Sequence, residues 1–251
     1  MAKVIAIAGK GGVGKTTIAA LMIDYLASKG VVLAVDADPS ANLNQALGMP
    51  LTDTVGNIRE HLDQELREGT FSAGVTKKDF LDLKVREALV ETKKVDLLVM
   101  GRPEGPGCYC AVNNMLRSII DHIKEGYDYV VVDCEAGMEH ISRQTTHNLD
   151  YFVIVSEPTA RSLNAASGIK VLISDLRTST GKVSLVLNRV AKELPKKVWD
   201  SVEKLGLDPV ITIREDGELY DLEIDGRPVV ELPAEAPVRK GVLQLASDLG
   251  L

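Results

Sequence analysis

Three groups of residues have types and spacings that carry chemistry. The run Gly9-Lys10-Gly11-Gly12-Val13-Gly14-Lys15-Thr16-Thr17 satisfies the pattern G-x-x-x-x-G-K-[ST] through Gly9, Gly14, Lys15 and Thr16. Glycines let backbone N–H groups curl around a phosphate, and a helix N-terminus behind them adds partial positive charge. Lys15 then reaches outer phosphates, and the Thr16 hydroxyl suits Mg2+. A second group is acidic: Asp36 and Asp38 in Asp36-Ala37-Asp38-Pro39, and Asp133 directly after Val130-Val131-Val132. Carboxylates so placed orient a water for in-line attack on a phosphoryl group or hold Mg2+, with helix capping the alternative for Asp36. The third is Cys108-Tyr109-Cys110, in a Pro/Gly-rich loop. Residues two apart in an extended segment share a side, so the pair offers two thiolates to one soft metal. A tetrahedral thiolate site wants four, and a twofold dimer would supply Cys108 and Cys110 from each chain. The alternative is a pair of half-buried thiols. Cys134 reads equally as a packed core thiol or as a redox or metal residue.

These residues need elements to hold them. Val4-Ile5-Ala6-Ile7-Ala8 is an apolar run ahead of the glycine loop, and Ile18, Leu21, Met22, Tyr25 and Leu26 follow it at helical spacing. Strand, glycine loop and helix are the context the phosphate pattern requires; a ligand-free glycine turn has no need of it. Gly30 is expected to cap that helix. Further strands are expected at 31–35, 95–101, 129–132, 151–155, 183–187 and 210–213, with helical segments between them and a helix through Met115, Leu116, Ile119, Ile120 and Ile123. Residues 218–232 read as a hairpin turning at Asp225-Gly226. Apolar strands alternating with helices predict an α/β fold: a mainly parallel, twisted sheet with helices on both faces. The whole chain, 1–251, reads as one domain, with 51–94 a helical surface insertion.

Composition narrows the partners. With 29 Lys and Arg against 36 Asp and Glu, the net charge is −7. Bulk charge therefore argues against nucleic acid and anionic membranes as partners. There is no signal-like start and no apolar run long enough to span a bilayer, and the last residues lack the basic face of a membrane-surface helix. Three cysteines fit a reducing compartment, and the expected location is the cytoplasm.

The second lysine of the loop, Lys10, is superfluous for an ordinary phosphate loop. The run with Lys10, together with Asp38, Asp133, Gly137 and Asn188, resembles the deviant-Walker ATPases of the P-loop class (SIMIBI type), which include MinD, ParA, nitrogenase iron protein and nickel-inserting accessory ATPases. The resemblance implies an ATPase with ATP and Mg2+ bound across a homodimer by Gly9, Gly11, Gly12, Val13, Gly14, Lys15, Thr16 and Thr17. It implies that Lys10 reaches the partner's phosphates, Asp38 activates the water, Asp133 stands by the metal and Gly137 senses the γ-phosphate. Asn188-Arg189 matches the segment whose asparagine reads the base. Cys134-Glu135 departs from the family's second switch, and Arg214 stands where the family has an Ile-Pro loop. Cys108-x-Cys110 looks like the CooC-type accessory ATPases, implying Ni2+ or Zn2+ at the dimer interface and a nickel enzyme, carbon monoxide dehydrogenase or acetyl-CoA synthase, as client. The other readings are an ATP-driven [4Fe–4S] electron-transfer protein of the nitrogenase-iron-protein type and a MinD- or ParA-like positioning ATPase.

Overall fold

The protein is described from a computed structural model, over residues 1–72, 74, 76–101, 118–121, 123–135, 148–175, 179–207 and 210–251. Seven parallel strands form one sheet: β1 (Lys3–Gly9), β2 (Val32–Ala37), β3 (Val95–Val99), β4 (Tyr129–Cys134), β5 (Asn148–Ser156), β6 (Ser179–Val190) and β7 (Val210–Arg214). Their order is β3-β2-β4-β1-β5-β6-β7, so β1 is central, hydrogen-bonded to β4 on one side and β5 on the other. The expected strands are all present, and several run a residue or more past their apolar centres.

Side chains alternate across a strand, so a sheet covered on both faces needs apolar residues at odd and even positions alike. In β1, Val4, Ala6 and Ala8 enter one core, while Ile5 and Ile7 enter the other. The second core receives helix α1 (Lys15–Ala27), α2 (Leu43–Leu47), α7 (Gly217–Ile224) and α8 (Pro237–Leu249), through residues such as Ile18, Met22, Leu43, Leu222, Val242 and Leu245. The first core receives α3 (Val55–Glu68), α4 (Lys77–Ala88), α5 (Ala160–Asp175) and α6 (Lys196–Leu205). The 51–94 stretch, expected to be a surface insertion, thus carries α3 and α4, whose Val55, Ile58, Val85 and Ala88 are buried in this core. Cys134 packs there too, 3% exposed. Ile119 and Ile120 lie in the helical stretch 118–121 and are buried, while Met115 and Leu116 fall outside the described residues.

Two expectations are corrected. Residues 218–232 are not a hairpin: they hold α7 and a short 3-10 turn, Val229–Glu231. Asp216 accepts from the Glu218 and Leu219 amides at 3.1 and 3.2 Å and starts the helix. Gly226 (φ +66°) ends it, and the Arg227 N–H donates back to the Leu222 carbonyl at 3.0 Å. Gly30 is not the cap of α1; Ser28 is. Gly30 instead gives clearance, because a Cβ there would lie 2.4 Å from the Asp128 carboxylate, which accepts from the Val31 N–H.

Candidate functional site

The chemistry-bearing residues collect at the carboxyl ends of the strands, where a parallel sheet presents loops to a ligand. The central strand β1 ends in the glycine loop, and Gly14 (φ +93°) turns it into α1. A Cβ on Gly14 would stand 2.5 Å from Asn188 Nδ2, and one on Gly9 would stand 2.2 Å from the Val155 carbonyl oxygen. Among the described residues no side chain caps α1, which leaves its first N–H groups free for an anion at the loop. Lys15 is 7% exposed; its Nζ donates to the Lys10 carbonyl at 3.4 Å, folding the ammonium back across the loop.

On the β4 side, the Thr16 hydroxyl donates to Asp133 Oδ2 at 2.6 Å. Asp133 is buried, and among the described residues its Oδ1 has no hydrogen-bond partner. Burial pushes its carboxyl up to about 7, and the nearby acids Asp36 and Asp38 add to this; the Thr16 hydrogen bond and Lys15 oppose it. Asp36 sits opposite Asp133 in the β2–β4 register. Its carboxyl is raised to about 6, chiefly by burial, against the bonds it accepts from the Leu43 amide (2.9 Å) and the Asp38 amide (3.0 Å). Asp36 therefore pins the turn that follows β2. Asp38 lies in that turn, half-buried, and accepts from the Ser40 amide at 2.9 Å.

On the β6 side, Asn188 and Arg189 face the same loop. Asn188 Nδ2 donates to the Val13 carbonyl at 2.8 Å, and Arg189 Nη1 donates to the Gly12 carbonyl at 2.7 Å. Beyond them opens a cavity of about 630 Å3 bounded by Gly14, Thr17 and Asn188 on one side and by Arg214, Asp216 and Tyr220 on the other. Its volume suits a nucleoside. Asp216 holds this far wall together, since it also accepts from the Val238 amide at the start of α8 at 3.2 Å.

The structure thus brings together Gly9 to Thr17, Asp36, Asp38, Asp133, Asn188 and Arg189. Cys108, Cys110 and Gly137 lie outside the described residues. Sequence reasoning missed Glu157, Asp216 and Tyr220. Glu157 directly follows β5, so the strand-end rule alone would have found it. Asp216-Gly217-Glu218 carries an N-cap signal that the hairpin reading masked.

A central strand that feeds a glycine loop onto an open helix N-terminus, with a hydroxyl–carboxylate pair beside it and a nucleoside-sized cavity behind, defines a P-loop nucleotide-binding protein. Residues 2–186 match the AAA domain family. The chain is 42% identical, over 98% of both chains, to an uncharacterized ATP-binding protein of Methanocaldococcus jannaschii. It is 34% identical to the carbon monoxide dehydrogenase accessory protein CooC of Rhodospirillum rubrum, over 74% of both chains. The septum site-determining protein MinD of Pyrococcus horikoshii, solved with Mg-ADP, shares the fold: TM-score 0.70 at 22% identity, over 99% of this chain and 96% of that one. The chain belongs to the deviant-Walker ATPases related to CooC. Among the described residues, no helix is long and apolar enough to cross a membrane.

Proposed function

We propose that the protein is a cytoplasmic, dimeric metallochaperone ATPase that carries Ni2+ on Cys108 and Cys110 and delivers it to carbon monoxide dehydrogenase or acetyl-CoA synthase. The observation that carries this reading is a Cys-x-Cys pair in a chain that also has the glycine loop with its Thr16–Asp133 bond and 34% identity to CooC.

The residues at the loop fit Mg2+. Among the described residues Asp133 Oδ1 is a buried oxygen without a partner, and the Thr16 hydroxyl lies beside the carboxylate; hard oxygen donors of this kind, one or two per site, are what Mg2+ takes from a protein. When bound, Mg2+ neutralises charge on the β- and γ-phosphates. The first amides of α1 and Lys15 hold the ATP phosphates, and Asn188 reads the adenine edge from the cavity. Asp38 orients the attacking water; the water oxygen bonds to the γ-phosphorus as the bond to the ADP oxygen breaks. Lys10 enters the partner's site, and Gly137 registers whether the γ-phosphate is present. Hydrolysis thereby changes the dimer. Four thiolates, Cys108 and Cys110 from each chain, hold nickel as cargo in one state and release it in the other. Zn2+ satisfies the same donors, so geometry and supply set the metal.

The test is anaerobic Ni2+ titration with light scattering on wild type and on Cys108→Ser/Cys110→Ser. About one Ni2+ per dimer, lost in the double variant, is expected for a shared four-thiolate site. Nickel binding that survives the double variant overturns the cysteine site and leaves a nucleotide-switch ATPase with another cargo.

A further inference from the structure

Arg189 is one of two non-glycine residues at positive φ among those described, at +56°. An L-residue rarely holds this conformation unless its surroundings impose it, and such residues gather at functional sites. It coincides with a bulge. Leu187 pairs with Thr212 and Val190 with Arg214, so β6 spends one residue more than β7 between these pairs. A bulge re-aims side chains. In a regular strand, neighbours 188 and 189 would point to opposite faces. Here both reach consecutive carbonyls of one loop: Asn188 takes Val13 and Arg189 takes Gly12. The same Nη1 lies 3.3 Å from Glu157 Oε1 at the end of β5. With side chains 48% and 32% exposed, that ion pair adds little by itself, and its effect is to aim the guanidinium.

We infer that Arg189 is a positioning residue: the bulged, left-handed end of β6 exists to clasp the phosphate loop by its Gly12 carbonyl, so that the strand flanking the base cavity also sets the shape of the phosphate cradle. This rests on the nucleotide-site reading above. In that reading Asn188 faces the base, and Arg189, which also lines the cavity, acts through the phosphate loop by its bond to the Gly12 carbonyl. The carbonyl it holds would otherwise be free to turn inward, where an oxygen repels phosphate. The clasp keeps carbonyls outward and amides inward.

The variant Arg189→Gly separates this role from plain structural support. Glycine accepts φ +56° without strain, so the nucleotide-free protein should melt no lower than wild type, while the cradle loses its tether. Calorimetric titration with Mg-ATP and with Mg-pyrophosphate, which has no base, is the test. Loss of a charge-assisted hydrogen bond to the loop is expected to weaken both about tenfold, with Arg189→Lys intermediate. A loss confined to Mg-ATP would make Arg189 a base contact and overturn the inference. So would unchanged binding of both, or a lower melting temperature accompanied by unchanged affinities. A wild-type protein that binds neither probe would instead overturn the nucleotide site on which the inference stands.

Discussion

Mg-nucleotide binding should release a proton from this protein below neutrality, and the amount follows from the environment of Asp133. Its carboxyl is raised to about 7, first by burial, with Asp36 and Asp38 adding like charge. A cation at Thr16 and Asp133 needs the carboxylate, so the free protein must first shed a proton wherever it is neutral. A group with pKa about 7 is about one-tenth ionised at pH 6 and about nine-tenths at pH 8, so affinity should fall about tenfold from pH 8 to pH 6. Asp36, opposite in the register and raised to about 6, titrates with it, so the released proton belongs to the pair. The assay is calorimetry of Mg-ADP binding in two buffers of different ionisation enthalpy at pH 6 and pH 8, with the nucleotide's own titration subtracted. Wild type should release close to one proton at pH 6 and little at pH 8. Asp133→Asn, with no proton to shed there, should bind weakly and with a flat profile. Equal proton release at the two pH values, or a Kd independent of pH in wild type, would refute the assignment of Asp133 as a carboxyl that must ionise to admit the cation.

Three further outcomes are expected. Gly9→Ala should lower the denaturant midpoint by an amount equivalent to about 2–3 kcal/mol or more, since the new methyl would meet the Val155 carbonyl at 2.2 Å in the centre of the sheet. Asp216→Ala should cost about 2 kcal/mol by freeing the amides of Glu218, Leu219 and Val238, and should weaken nucleotide binding through the cavity wall; unchanged melting would deny it the clasp between α7 and α8. Third, because the folded pKa values of Asp36 and Asp133 lie above those of the unfolded chain, their stabilising contribution is complete below about pH 4 and fades as pH rises through 6 and 7. The nucleotide-free protein should therefore lose stability over that window, and Asp133→Asn should flatten the slope in urea titrations taken across it.

Local pattern made much of the fold legible. In β1 every residue from Val4 to Ala8 is buried, and an unbroken apolar run has one reading when glycines and a helical stripe follow. Asp133 was legible for the same reason, as the first polar residue after the apolar run Val130-Val131-Val132. The 218–232 segment misled because Tyr220, Leu222 and Ile224 alternate with acids and Asp225-Gly226 is a common hairpin turn. The alternation is accidental: Tyr220 and Ile224 are 65% and 67% exposed, and only Leu222 of the three enters the core. The Asp216 cap and the left-handed Gly226 decide for helix. Arg189 was legible as a position but not as a clasp, because its partner is a backbone carbonyl 177 residues away and carbonyls leave no mark in sequence. The role of Asp36 was hidden likewise, since its partners are amides of the following turn.

The place of β1 in the sheet also governs when the site is born. Its neighbours β4 and β5 begin at Tyr129 and Asn148, and the clasp on its loop comes from Asn188 and Arg189. A chain emerging from the ribosome exposes the glycine loop ahead of β4, β5 and β6, and must extend through β6 before that loop is held from both sides. Until β4 and β5 are made its central strand is an unpaired apolar ribbon, the kind of segment chaperones shield. Nucleotide cannot template the early steps, because a contact that shapes its cradle comes from a residue 177 positions further along the chain than the carbonyl it holds. Affinity for nucleotide is thus acquired late in synthesis, and a ribosome-bound nascent chain stalled before residue 188 should show none.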